Sequence, residues 1–525
     1  MSDTDTTMNA ALEKAEAGVR RMRAARDDRW YPSTHIAASA GWINDPNGLS
    51  FVDGRYQVYF QHHPYSTEWG PMHWGHVSSD DLVTWRREPI ALAPSTTADR
   101  DGVFSGSAVV RDDGALAVVY TGHRFRNGVD EDEGNLQVQC LAVSTDGGRT
   151  FSKEGTVIDC PEGFVHFRDP KVWKQDGRWF LVVGVSTLDR RGQVWLYTCD
   201  DPELTTWDFD SVLYEAADPN VFMLECPDFF PLSRSGEPAY PGDPDVRWVL
   251  VFSPMGATPH GYTNRNGNNA VYVVGDWAPG RPFTDVSPDR PSDSGANYYA
   301  PQTFQAPDGR RILFGWMGSF TAPEPTRAAD AWCGQFTAPR ELRLSASGDS
   351  VSTVPVAEYA RLRQDTVATG PVSVGLNEDV VLAEDIRNSA DIELEIDLDR
   401  TTAERVSLLV HATPTGNHTA VSWDSQSGRV WLDRRLSGAG DRGYRSVPVP
   451  ASDGTGDAPT LRLRVIVDRG SVEVFVGDGE GVISSAVFPP EGPRALVLSS
   501  ESGTAELPTV TVHRLRSIWE DPADR

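Results

Sequence analysis

The chain has 525 residues, 39% of them apolar, enough for two or more domains with full hydrophobic cores. Its net charge of −27 repels nucleic acid and anionic lipid, so neither is a partner, and no run of about 18 apolar residues is present to cross a bilayer. The five cysteines (Cys140, Cys160, Cys199, Cys226, Cys333) are odd in number and form no CxxC pair, which argues against a disulfide framework or a zinc site. Residues 1–12 lack the basic-then-apolar pattern of a secretory signal, so the expectation is a cytoplasmic protein acting on a neutral substrate.

Residues 8–26 are expected to be helical, because Leu12, Ala15, Val19 and Met22 recur at helical spacing with charges between them. Arg20, Arg21, Arg23 and Arg26 make the second half basic, which reads as the solvated face of a helix docked on the next domain. Five strand-like segments follow, at 55–62, 115–123, 178–186, 247–254 and 310–317, with starts 60 to 69 residues apart. Four of them come after Asp-Gly turns (Asp53-Gly54, Asp113-Gly114, Asp176-Gly177, Asp308-Gly309), suited to two-residue hairpins, and the fourth in order follows Gly242-Asp243-Pro244-Asp245. Downstream of the first three, Ser79-Asp80-Asp81 leads to Trp85, Thr145-Asp146-Gly147 to Phe151, and Cys199-Asp200-Asp201 to Trp207. A period near 60 with several strands per unit predicts five propeller blades.

A second segment precedes each hairpin: WINDPNG at 42–48, FSGSAVV at 104–110, RDPKVW at 168–173, ECPDFF at 225–230 and YYAPQTF at 298–304. If these form the innermost strands, rotation about one axis brings them to a single central pocket. After them the pattern changes to short alternating strands, as at 391–398, 407–412, 421–424, 461–467 and 471–476, separated by glycine-rich turns, which reads as a sandwich. The expected architecture is therefore all-β: a helical extension (1–30), a five-bladed β-propeller (31–345), a linker (346–365) and a C-terminal β-sandwich (366–525).

Asp45, Asp169 and Glu225 open units one, three and four, so a pocket on the axis would hold all three. Hydrolysis of a glycosidic bond needs an acid to protonate the leaving oxygen and an anion to capture or stabilise an oxocarbenium-like carbon. Asp45 lies in Asn44-Asp45-Pro46-Asn47-Gly48, a stiff backbone suited to aiming a nucleophile. Asp169 follows Arg168, whose charge is expected to keep it ionised, as a clamp on sugar hydroxyls requires. Glu225, longer and flanked by Leu224 and Cys226, is expected to be raised by partial burial, as a general acid requires. Single carboxylates are usually solvated surface charges; the repeat is what lifts these three above that reading. His62-His63 lacks a third ligand at metal spacing, so packing or substrate hydrogen bonding suits it better, and no metal or cofactor is expected.

WINDPNG, FSGSA, RDPKVW and ECPDFF, in this order and at blade spacing, resemble the motifs of glycoside hydrolase family 32, as do Tyr299 to Phe304, Gly315-Trp316-Met317, Pro339-Arg340-Glu341-Leu342 and DRGSVEVFV at 468–476. The resemblance implies Asp45 as nucleophile, Glu225 as acid/base and Asp169 as transition-state stabiliser, with Asn44, Gln61, Trp69, Phe104, Ser105, Arg168 and Trp316 lining a fructose pocket. It implies retaining hydrolysis of terminal β-fructofuranosides such as sucrose and short fructooligosaccharides through a covalent fructosyl-enzyme, without cofactor, by a protein free to form a homo-oligomer. Asn297 departs from the family, which often has Asp there. A fructosyltransferase would share the triad and favour a sugar acceptor over water, and a non-catalytic sugar-binding propeller would have lost one of the three carboxylates.

Overall fold

A computed structural model describes residues 3–239, 243–387, 389–450 and 459–521. Gly242 of the turn expected before the fourth hairpin lies outside the described residues, as do Met1 and Ser2 of the helical extension and 451–458 and 522–525 of the expected sandwich. No helix among the described residues is long and apolar enough to cross a membrane.

The five hairpins are the centres of five antiparallel sheets, and each expected inner segment is the innermost strand of its blade. Blade one is built from Gly41–Val52, Arg55–His63, His73–Ser79 and Trp85–Leu92, and blade two begins with Gly102–Val110 and Leu116–Phe125. Blade three begins with Phe167–Gln175 and Arg178–Ser186, blade four with Met223–Ser233 and Val246–Met255, and blade five with Tyr299–Gln305 and Arg311–Met317. Asp53-Gly54 and Asp176-Gly177 make the expected two-residue turns, both residues having positive φ. The turns at Asp113-Gly114 and Asp308-Gly309 are longer, with Val110 paired to Leu116 and Gln305 to Arg311, and only the glycines have positive φ.

The second strand of each blade is an apolar run because both of its faces are covered. In Arg178–Ser186 the side chains of Leu181 and Val183 pack with Ala117, Val119 and Leu141 of blade two. The alternate residues Phe180 and Val182 pack with Phe229, Trp248 and Leu250 of blade four. The period of two thus splits one strand between two neighbours. The aromatic echo is the loop between third and fourth strands: Asp81 accepts from the N–H groups of Val83 (3.1 Å) and Thr84 (2.7 Å), and Asp146 and Asp201 cap the same turn in blades two and three. The N-terminal helix, Asp3–Arg23, starts before the expected position and docks on the propeller, with Met8 packed beside Val52, Leu92 and Val103. The ring closes where Trp332–Cys333, on the excursion after the second strand of blade five, pairs in parallel with Gly41 and Trp42.

The stretch 346–365 is not a plain connector. Val351–Pro355 pairs with Arg340–Leu344 as the outer strand of blade five, and Arg363–Val374 already belongs to the sandwich. Two six-stranded antiparallel sheets form that sandwich around a core of Val, Leu and Ile side chains. Its seam with the propeller joins Ile466, Phe475 and Trp519 to Trp85, Phe314 and Tyr359 in one apolar cluster.

A charged network is buried in the same seam. Arg340 reaches Asp293 (2.9 Å) and forks onto Glu473, while His35 bridges Asp468 (2.8 Å) and Glu473 (2.7 Å). Burial alone would lower His35, but its hydrogen bonds to the two carboxylates outweigh it and raise the imidazole from 6.5 to about 9. Asp468 and Glu473 are lowered to about 2 despite burial, by His35 and, for Glu473, by Arg340. The stability due to His35 is complete below 6.5 and lost as pH rises through about 9. That due to the two carboxylates is complete above 4.5 and lost as pH falls toward about 2. The thermal midpoint should therefore be highest between pH 4.5 and 6.5. His35→Gln, which leaves the buried Asp468 without its counter-charge, should lower stability by ~3–5 kcal/mol in that window and abolish the decline toward pH 9; midpoints measured across pH check both.

Candidate active site

Every inner strand leaves its hairpin partner at the same place. Pairing is interrupted between Ile43 and Pro46, Val103 and Gly106, Arg168 and Lys171, Glu225 and Asp228, and Tyr299 and Gln302. In blades three to five a proline, which has no N–H to give to a ladder, lies within the break (Pro170, Pro227, Pro301), and in blade one Pro46 is the first residue paired after it. Asp169, Cys226 and Ala300, the residues just before three of these prolines, have positive φ (67°, 49° and 48°). Such bulges re-aim side chains, and here they do so around one axis.

Two tiers of side chains result. The residues immediately before the proline, or before Gly106 in blade two, are Asp45, Ser105, Asp169, Cys226 and Ala300. Ser105 Oγ donates to Asp45 Oδ2 (2.6 Å), and Cys226 Sγ lies 3.4 Å from the same oxygen. The Cys226 N–H donates to Asp169 Oδ2 (2.9 Å), and the Asp169 N–H donates to Thr121 Oγ1 (2.9 Å). One position earlier stand Asn44, Phe104, Arg168, Glu225 and Tyr299. Arg168 donates to Glu225 Oε1 through Nε (3.1 Å) and Nη2 (2.8 Å), and Tyr299 Oη donates to Glu225 Oε2. Asn44 Nδ2 donates to Asp45 Oδ1 (3.1 Å), and the Trp42 indole N–H fixes the Asn44 amide by donating to Oδ1 (2.7 Å).

This geometry corrects two expectations. Glu225 is not equivalent to Asp45 and Asp169 in the repeat but one residue ahead, in the tier of Arg168 and Tyr299. The Arg168 guanidinium serves Glu225 rather than Asp169, whose Oδ2 is 3.9 Å from Arg168 Nε. Burial therefore raises Asp169 well above the usual carboxylate range; Arg168 opposes the shift, and the charges of Glu225 and Asp45 add to it. Asp45 is also raised by burial, with the Ser105 hydrogen bond pulling the other way.

The cavity, about 400 Å3, is lined by the three carboxylates and by Asn44, Gln61, Trp69, Phe104, Ser105 and Arg168. Gln61 Nε2 is anchored on the Val103 carbonyl (3.0 Å), and Trp69 stands edge-on to Phe104 at the rim, 37% exposed. Trp316 is not part of this lining. It is wholly buried behind the wall, packed on Trp42, Tyr299 and Phe320, so that Phe320 and not Trp316 faces the cavity. His166, a residue suited by its sequence context to packing or substrate hydrogen bonding, also lines it, as do Tyr299, Gln137, Met255 and Asn268, which were not singled out as contacts. The proline register would have found Tyr299, since Tyr299-Ala300-Pro301 matches Arg168-Asp169-Pro170; the others come from outer strands and loops that carry no such mark.

Three carboxylates converging on one polar cavity at the axis of a five-bladed propeller, with a sandwich behind, define a glycoside hydrolase of the two-carboxylate kind. The family model described as glycosyl hydrolases family 32 N-terminal domain matches residues 35–355, and the family 32 C-terminal model matches 358–514. Sucrose-6-phosphate hydrolase of Escherichia coli is 40% identical over 94% of this chain and 97% of its own length. Raffinose invertase of Escherichia coli is 40% identical over 97% of this chain and 100% of its own. The solved structure of a Bombyx mori GH32 β-fructofuranosidase superposes with a TM-score of 0.81 at 32% identity, covering 98% of this chain and 100% of that one. The chain belongs to glycosyl hydrolase family 32 and is a glycosidase of the β-fructofuranosidase type.

A hydrogen bond to a charged group contributes about 1.5–3 kcal/mol. Tyr299→Phe removes one from Glu225, so kcat on sucrose should fall about 10- to 100-fold while KM changes little; initial-rate measurements of glucose release check it.

Proposed function

We propose that this enzyme releases fructose from the non-reducing end of sucrose and short fructooligosaccharides with net retention, Asp45 acting as nucleophile, Glu225 as acid and base, and Asp169 as stabiliser of the transition state. The observation that carries this reading is the meeting of all three acids around Cys226, whose N–H holds Asp169 and whose thiol touches Asp45, next in the chain to Glu225.

In the first step a carboxylate oxygen of Asp45 attacks the anomeric C2 of the fructosyl unit. The C2–O bond to the leaving sugar breaks, and that oxygen takes the proton of Glu225. Asn44 and Ser105 donate to the two oxygens of Asp45, which favours its anionic form and fixes its direction. In the second step Glu225, now a base, takes a proton from water as the water adds to C2 and the Asp45 carboxylate departs, restoring both groups. Asp169, held by a backbone N–H, accepts from fructose hydroxyls, and Gln61, Asn44 and Arg168 bound the rest of the ring.

The cavity size suits one ring and part of a second. Its lining holds Asp45, Asp169, Glu225 and Glu131 against a single cation, Arg168, which is committed to Glu225. A phosphate dianion meets net negative charge there, so unphosphorylated sucrose is the better substrate than the sucrose 6-phosphate named in some relatives. The free state of all five cysteines accords with a reducing, cytoplasmic setting.

Asp45→Asn and Glu225→Gln should each lower kcat at least 10^3-fold, roughly the scale of lost covalent or acid catalysis, with unchanged far-UV circular dichroism. Near-normal sucrose hydrolysis by either variant refutes the assignment. kcat/KM compared on sucrose, kestose, inulin, levan and sucrose 6-phosphate ranks the substrates, and dominant chain elongation at high sucrose would instead make the enzyme a fructosyltransferase.

A further inference from the structure

A cavity of about 410 Å3 lies in the seam where the segment entering the propeller, at Pro32 and Ser33, meets the sandwich. Four arginines line it, Arg387, Arg469, Arg514 and Arg516, and no aspartate or glutamate does. In a chain of net charge −27 this local reversal of sign is costly, because like charges are held together in a partly enclosed space.

Their counter-charges within the protein are few. Arg514 pairs with Asp365 (2.8 Å) and also donates to the Asp385 carbonyl (2.9 Å), leaving its buried Nε without a partner. Among the described residues Arg516 donates only to neutral oxygens, the Ser517 carbonyl (3.2 Å) and Thr84 Oγ1 (3.1 Å). Arg469 donates to the Asp28 (3.2 Å) and Tyr31 (3.4 Å) carbonyls, and its Nε is buried and unpartnered. The exposed Arg387 guanidinium has no hydrogen bond or ion pair among the described residues, on a backbone with φ of 63° that its N–H bond to Asp385 helps to hold.

We propose that this seam cavity binds the phosphate group of a small sugar phosphate. Planar guanidinium forks match phosphate oxygens in pairs, and a phosphate offers more acceptor oxygens than a carboxylate to guanidinium groups converging from several sides. The volume holds a hexose attached to the phosphate, with the Ser33 and Ser389 region of the lining as polar surroundings for its hydroxyls. The overall negative charge turns long polyanions away at a distance, so a compact ligand fits where a nucleic acid does not. Its lining shares no residue with the catalytic cavity. An occupant would touch both the N-terminal segment and the last strand of the sandwich, Ala505–Leu515, and so tie the domains together.

The test is calorimetric titration of the full-length protein with glucose 6-phosphate and, separately, with inorganic phosphate, at matched ionic strength. The expected result is saturable binding of glucose 6-phosphate, weaker binding of inorganic phosphate, and a raised thermal midpoint with either. Arg387→Ala, whose side chain supports nothing else, and the double variant with Arg516→Ala should each weaken binding, the double by about tenfold or more, with sucrose hydrolysis unchanged. No saturable binding by the wild type, undiminished binding by both variants, or displacement by fructose, which would put the ligand in the catalytic cavity, each overturns the proposal. Equal affinity for the two ligands overturns its sugar part.

Discussion

A β-ladder cannot be complete where its residues must face inward to a ligand, and the break in each of the five inner strands is what makes this catalytic centre. At each break two residues lose their pairing, and in blades three to five a proline at that point has no donor to leave unsatisfied. Because the five breaks are related by rotation, residues at the same position become neighbours across blade seams. Arg168, Glu225 and Tyr299, from three successive blades, form one hydrogen-bonded chain. Asp45, Ser105, Asp169 and Cys226 form a second tier beside it. The positive φ angles of Asp169 and Cys226 are the local strain this demands, and the packed blades around them hold it in place.

The two tiers divide the electrostatic work. The one cation of the cavity is spent on Glu225, so that residue is oriented by charge from one side and by a phenol from the other. Asp45 is oriented by neutral donors alone, and Asp169 by a backbone N–H. Burial raises both Asp45 and Asp169, and the neighbouring carboxylates add to the shift.

Much of this was legible in the chain. The Asp-Gly turns located the hairpins within a residue or two, and the motifs around Asp45, Asp169 and Glu225 marked the inner strands. What could not be read was which neighbour in sequence becomes a neighbour in space. Arg168 stands beside Asp169 in the chain, yet successive residues of a strand point apart, and its true partner is the residue at its own level in the next blade. Trp316 was assigned to the pocket because its motif belongs there, but a period of two carries no sign of which face is the wall and which is behind it. The stretch 346–365 looked like a linker because its strand is short and of mixed polarity, and only pairing with Arg340–Leu344 reveals it as blade five. Met255, at the end of its strand, and Asn268, on a loop, reach the cavity along paths that no local pattern encodes.

The ring is closed by two residues, Trp332 and Cys333, lying parallel to Gly41 and Trp42, the first two residues of the strand that bears Asp45. A ribosome emits that strand first and its clasp almost three hundred residues later. Until the fifth blade has emerged, Asp45 belongs to an unclosed arc, and until Glu473 has emerged, Arg340 and His35 lack their shared counter-ion. The axial cavity is in this sense a property of the closed ring, which no single blade possesses during synthesis.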